Sequence, residues 1–210
     1  MIAPGRFISL EGGEGVGKST QARLLADRLA RRGIETVLTR EPGGSDGAEA
    51  IRGLLLSGAA DRWSVRAEAL LFAAARADHI ERTILPAVEA GKWVICDRFL
   101  DSSRAYQGAS GALSDADILT LHRIGSAGLL PDRTLLLSLP LDESSERANA
   151  RDDGAADRIG GRQADFHRDV ADAFRRFADE EPDRFRTIAA HGSIDDVQAR
   201  LLAALSDLLP

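Results

Sequence analysis

The sequence predicts an α/β fold in which a five-stranded parallel sheet is flanked by helices in three layers, as a single domain over residues 1–210. Two observations carry this. Five short apolar runs are separated by stretches with helical spacing, an alternation that builds a parallel sheet covered on both faces. A glycine-rich loop joins the first run to the first helical stretch, the usual strand–loop–helix start of such a sheet.

Arg6–Leu10 (RFISL) reads as the first strand. After the loop, Ser19–Arg32 carries Ala22, Leu25, Ala26 and Leu29 on one helical face, and Gly33 is a natural stop. The remaining strands are Thr36–Thr39 (TVLT), Trp93–Cys96 (WVIC), Thr134–Leu139 (TLLLSL) and Arg186–Ala189 (RTIA). All are short and apolar, as strands buried on both faces are. Arg66–Ala90 reads as helix with a break or kink near Pro86. Ser114 with Asp117, and Ser193 with Asp196, have the spacing of capping boxes. In Asn149–Arg162 (NARDDGAADRIGGR) apolar periodicity vanishes, which fits either a solvated loop or a mobile lid carrying arginines.

Composition narrows the function classes. A formal net charge of −6 without a long basic run argues against a protein that grips nucleic acid. The one cysteine, Cys96, allows no disulfide within the chain and fits a reducing cytoplasm. MIAPGRFISLEGG lacks the pattern of a signal peptide, and apolar runs such as Ala69–Ala75 are too short to span a bilayer. Only two of the 27 basic residues, Lys18 and Lys92, are lysine. Position 18 therefore calls for a slim ammonium rather than a guanidinium fork.

Gly12–Ser19 matches G-x-x-x-x-G-K-[ST] between a strand and a helix, the context that makes this phosphate loop specific. Its amides and the helix N-terminus surround phosphates, Lys18 reaches the β/γ-phosphates, and Ser19 can ligate Mg²⁺. The candidate ATP-binding set is Gly12, Gly13, Glu14, Gly15, Val16, Gly17, Lys18, Ser19 and Thr20. The competing reading is a glycine turn without a ligand. Asp97 and Arg98 follow the third strand, where ligand groups gather in open α/β sheets. Asp97 is placed to act on Mg²⁺ or its water and Arg98 to hold a phosphate; a surface ion pair is the alternative. The carboxylate of Glu14 inside an anion-binding loop needs its own explanation.

EGGEGVGKST (Glu11–Thr20), TREPGG (Thr39–Gly44), FAAAR (Phe72–Arg76), DRFLDSSRAYQG (Asp97–Gly108) and DRI (Asp157–Ile159) occur in order. Together with SIDDV near the C-terminus, they closely resemble the bacterial thymidylate kinases. The resemblance covers nearly the whole chain, and its TREPGG and SSRAYQG segments are far more specific than the phosphate loop.

The resemblance implies a P-loop kinase that phosphorylates dTMP to dTDP with ATP and Mg²⁺, acting as a cytoplasmic homodimer without nucleic-acid or membrane partners. It implies that Lys18 and the loop amides hold ATP, that Ser19 and Asp97 serve the metal, and that Arg98 holds the dTMP phosphate. Phe72 would stack on thymine and Arg76, one helical turn on, would donate to a thymine carbonyl. Core packing explains Phe72 equally well from its spacing, and a surface arginine explains Arg76. Ser103 and Gln107 would contact the base, and Tyr106 would press on the sugar. Glu41 and Pro42 would line the same pocket, Pro42 in a cis or otherwise rigid turn, with Arg52 as a further phosphate contact. Glu14 would face the acceptor side: the sugar 3′-hydroxyl, an arginine or a metal-bound water. Arg151 and Arg158 would be catalytic arginines on a lid at about 149–162, with Arg147 and Arg162 behind them. Two departures stand out: Gly160 replaces an acid after DRI, and Ser138 occupies a site where aspartate is common.

Two other functions fit parts of the sequence. A kinase for another nucleoside monophosphate would keep the phosphate loop and change the base pocket. A nucleotide-state switch would need neither acceptor pocket nor arginine-rich lid.

Overall fold

The computed structural model describes residues 5–59, 61–108, 112–152 and 164–210. Five parallel strands form one sheet: β1 (Phe7–Glu11), β2 (Thr36–Arg40), β3 (Trp93–Asp97), β4 (Arg133–Ser138) and β5 (Phe185–Ala189). Their spatial order is β2-β3-β1-β4-β5. β1 is thus central, with Leu10 in register with Asp97 on one side and Leu135 on the other. The two strands that end in the glycine loop and in Asp97–Arg98 are neighbours, which sets both chemical motifs at one carboxyl edge.

The helices are α1 (Lys18–Ala30), α2 (Asp46–Leu56), α3 (Val65–His79), α4 (Leu85–Glu89), α5 (Leu100–Gly108), α6 (Asp115–Ser126), α7 (Leu141–Asp152), α8 (Ala164–Glu180) and α9 (Ile194–Ala203). One face of the sheet packs against α1 and α9 through Leu25, Leu29, Val197 and Leu201. A second cluster gathers Phe7, Ile80, Ile84, Phe99 and Ile118. A third unites Tyr106 with Val170, Phe174 and Phe177, the helix-spaced apolar stripe of α8.

The break expected near Pro86 is a single π-helical turn at Ile80–Ile84, between α3 and α4. Pro86 lacks an amide, so Arg82 has no i+4 donor, and the wider register lets Leu85 N–H reach the Ile80 carbonyl. Both expected capping boxes are present, on α6 and α9. Residues 149–152, expected in the lid, continue α7. Ala148, Ala150 and Arg151 favour helix strongly enough to extend it past the point where apolar periodicity ends. The rest of the expected lid, 153–162, lies outside the described residues, and Gly160 with it. Ser138 closes β4 and is exposed.

Candidate active site

β1 runs straight into the phosphate loop. Gly12 has φ 135°, and a Cβ there would stand 2.4 Å from the Leu137 carbonyl oxygen, so only glycine lets the loop leave the sheet beside β4. Val16 anchors the loop in the core. Gly17, at φ 92°, begins α1. Lys18 is buried, and its Nζ donates to the carbonyls of Gly12 at 3.0 Å and Gly13 at 2.6 Å. An ammonium has three donors, so one remains for a ligand. Burial, reinforced by the Arg98 charge, lowers the Lys18 pKa to about 8.

Glu14, Gly15, Gly17, Lys18, Ser19 and Thr20 form one end of a cleft of about 390 Å³. Gly12, Gly13 and Val16, expected with them, do not line it; they shape the loop from behind. Ser19 Oγ donates to Asp97 Oδ2 at 2.5 Å. Asp97 Oδ1 is buried without a hydrogen-bond partner, an arrangement that costs free energy unless something electropositive is bound there. A carboxylate and a hydroxyl facing phosphate space are hard oxygen donors and fit Mg²⁺, which takes one or two protein oxygens and otherwise phosphate and water. Among the described residues no cluster of three or more His, Cys, Asp or Glu offers an all-protein metal cage.

The middle of the cleft is built around Arg98. Its backbone is left-handed, at φ 70°. Its guanidinium donates to Glu14 Oε1 at 2.5 Å, to Ser102 Oγ at 3.2 Å and to the Gly12 carbonyl at 3.4 Å, and lies 5.0 Å above the Tyr106 ring. Tyr106 Oη also reaches Glu14, at 3.4 Å. Burial pushes the Tyr106 phenol up to about 12, so it remains a donor near neutrality. Of the three partners expected for Glu14, the structure places an arginine against it.

The far end is the candidate acceptor pocket. The Glu41–Pro42 peptide is cis. Glu41 is buried and takes Arg76 Nε at 2.8 Å and His79 Nδ1 at 3.0 Å. Arg76 also donates to Ser103 Oγ at 2.7 Å. Arg76 is therefore no surface arginine: it is 3 % exposed and still lines the cleft. Phe72 is half-buried, packed against the third core cluster with part of its ring lining the pocket, so packing and pocket roles coexist. Gln107 Nε2 donates to Glu68 Oε1 at 3.0 Å, and Arg52 donates to the Pro42 carbonyl at 2.6 Å; both line the cleft. Arg147, on α7, closes the ring while pairing with Glu143 at 2.6 Å. Arg151 falls on the last turn of α7, whereas Arg158 and Arg162 lie outside the described residues.

Sequence reasoning assigned no role to three residues that organise this cleft. Glu11, fully buried at the end of β1, accepts Phe99 N–H at 2.7 Å and the Ser102 hydroxyl at 2.6 Å. Burial, with Asp101 nearby, holds its carboxyl well above the usual range. Ser102 and His79 complete the set, His79 linking Glu41 to Thr39 Oγ1 at 2.7 Å. The available signal was a lone acid closing an apolar strand, a residue type seldom buried without a partner.

The thymidylate kinase family model matches residues 10–201. The chain is 65% identical over 207 residues to a thymidylate kinase of Rhizorhabdus wittichii, covering 99% of this chain and 100% of the relative. It is 49% identical to that of Bradyrhizobium diazoefficiens, across 98% of this chain and 91% of the relative. A crystal structure of thymidylate kinase from Ehrlichia chaffeensis superposes with a TM-score of 0.79 at 32% identity, covering 96% of this chain and all of the other. With the phosphate loop, the Asp97–Arg98 turn and the buried Glu41–Arg76 pocket in one cleft, the chain belongs to the thymidylate kinase family.

Proposed function

We infer that the chain transfers the γ-phosphoryl group of ATP to dTMP, giving ADP and dTDP, a step that supplies thymidine nucleotides for DNA synthesis. The observation that carries this reading is the continuity of one cleft from Lys18, through Arg98, to Phe72 and Arg76. A donor site and an acceptor pocket that meet at a guanidinium suit in-line transfer, where positioning and charge neutralisation do most of the catalysis.

Lys18 and the loop amides hold the ATP phosphates. Arg98 holds the dTMP phosphate, its charge balanced by Glu14 until substrate arrives. Phe72 lies against the thymine face, Arg76 and Ser103 present a fixed donor–acceptor pair to its edge, and Gln107 closes the pocket. Tyr106 bounds the sugar. Ser19 and Asp97 would hold Mg²⁺, which when bound supplies charge neutralisation between the phosphates. Arg151 and Arg158, the catalytic arginines that the resemblance implies, would cover the transferring group and exclude water, with Arg147 behind them at the cleft wall.

The family reading also suggests a homodimer. Leu70 on α3 and Ile124 on α6 are 56% and 75% exposed on two helices that pack side by side, and exposed apolar side chains of this size suit contact with a second copy. A cytoplasmic setting fits the single buried Cys96, and no helix among the described residues is long and apolar enough to cross a membrane.

ADP release with ATP and Mg²⁺, measured with dTMP, dUMP, dCMP, dGMP, AMP or no acceptor, tests the reading. Strong release with dTMP, less with dUMP and little without acceptor is expected. Preference for a purine acceptor would overturn the base-pocket assignments, and acceptor-independent hydrolysis would overturn the kinase reading.

A further inference from the structure

The least explained feature of the site is how Arg98 keeps its conformation. A left-handed backbone is unfavourable for any residue with a Cβ, and surrounding contacts must over-determine it. The contacts come from the end of β1. Arg98 N–H donates to the Leu10 carbonyl at 3.0 Å, continuing the β1–β3 ladder for one residue. The next amide, Phe99 N–H, turns out of the ladder and is caught by Glu11 Oε1 at 2.7 Å. The other oxygen of Glu11 takes the Ser102 hydroxyl at 2.6 Å, and that same hydroxyl accepts from Arg98 Nη1 at 3.2 Å.

We propose that Glu11 is a positioning residue for the acceptor phosphate: through Phe99 N–H and Ser102 it fixes both the backbone and the guanidinium direction of Arg98. This rests on the reading of Arg98 as the group that holds the dTMP phosphate. Glu11 is fully buried and does not line the cleft, so it acts through its neighbours rather than on substrate. A single carboxylate can do this because its two oxygens point at different turns of the chain. One receives the amide just before α5, and the other a hydroxyl in the first turn of that helix. The Ser102 hydroxyl donates with its one proton and accepts with a lone pair, so its orientation is set at both ends. Glutamine at position 11 keeps an acceptor for Phe99 but presents an amide that donates to Ser102. The direction of that bond reverses, and the serine proton needs a new acceptor.

Steady-state kinetics of E11Q, S102A and the double variant, run above about pH 8 so that the Glu11 carboxyl is ionised and accepts at both oxygens, with ATP and dTMP varied separately and thermal midpoints recorded, test the proposal. Loss of one such link is expected to raise the dTMP KM about tenfold in E11Q and about threefold in S102A. The ATP KM should stay within about twofold, and the double variant should resemble E11Q because both act on one guanidinium. Equal rises in the two KM values would indicate general loosening and overturn the proposal, as would an unchanged dTMP KM. Should E11Q fail to fold, S102A alone decides by the same split. An unaltered chain without dTMP-dependent ADP release would overturn the functional reading and this proposal together. An active unaltered chain with unaffected variants would overturn the proposal alone.

Discussion

Arg98 Nη2 lies 2.5 Å from Glu14 Oε1, tying the phosphate loop to the turn after β3 across the middle of the cleft. This contact accounts for a carboxylate in a loop built for anions: Glu14 pairs with the Arg98 guanidinium and neutralises it. If Arg98 holds the dTMP phosphate, as proposed, that phosphate shares the guanidinium with Glu14. E14Q removes that competition and the alignment it gives. The expected result is a dTMP KM no higher than in the unaltered chain and a kcat lower by about tenfold, read from initial rates at saturating ATP. An unchanged kcat would remove Glu14 from the catalytic set.

The Arg76–Glu41 pair, at 2.8 Å, has both side chains 4% exposed. Removing one partner of a buried ion pair leaves the other charge uncompensated, at a cost of about 3–5 kcal/mol. R76A is expected to lose stability on that scale in urea denaturation, with Glu41 left to His79 alone. Adding E41Q to R76A should recover part of the loss, because the stranded charge is gone. A double variant as unstable as the sum of the two single variants would mean that packing of the Arg76 stem, not charge, sets the cost.

The sequence displayed the frame of this site better than its wiring. All five strands were legible because each is a short apolar run, and the strand–loop–helix start located Lys18 and Ser19 without ambiguity. Asp97 and Arg98 were legible as a pair because they stand where β3 ends. Their partners were not, since pairing across β1, β3 and α5 depends on strand order, which no local pattern encodes. Ser103 illustrates the gap. It was expected to contact the base, and in the structure its hydroxyl oxygen accepts from Arg76, so the two side chains are held as one unit rather than two. The helix at 149–152 was missed for the opposite reason: apolar periodicity is silent in a polar helix, where propensity alone decides.

Glu11 gives the fold a distinctive pH signature. Burial first, then the Asp101 charge, raise its carboxyl from 4.5 to about 8 in the folded chain, against the lowering influence of Ser102, Arg98 and the Phe99 amide. Between these values the folded state holds a proton that the unfolded state has released, so stability from this group falls as pH rises from about 4.5 to about 8. The slope approaches about 1.4 kcal/mol per pH unit for one proton. Denaturation curves of the unaltered chain and E11Q across that range should differ by this slope, with E11Q the flatter. Parallel curves would show that Glu11 titrates alike in both states.

Asp97 presents the reverse of a stabilising interaction. Its Oδ1 is buried without a partner, while Oδ2 takes the Ser19 hydroxyl at 2.5 Å. An orphaned buried acceptor costs roughly 1–3 kcal/mol, a cost that active sites retain where a ligand later satisfies the atom. D97A removes the orphan, and Ser19 is exposed enough to bond water instead. The metal-free variant should therefore melt no lower than the unaltered chain. Its dTMP-dependent turnover in Mg²⁺ should nevertheless fall by about a hundredfold or more, on the scale of losing one preorganised charge-stabilising group. Chelation with EDTA should silence the unaltered enzyme and leave its melting midpoint largely unmoved, because no all-protein metal cage exists among the described residues. A lower melting point for D97A would make Asp97 a structural residue, and full turnover with an unchanged Mg²⁺ requirement would take it out of the metal site.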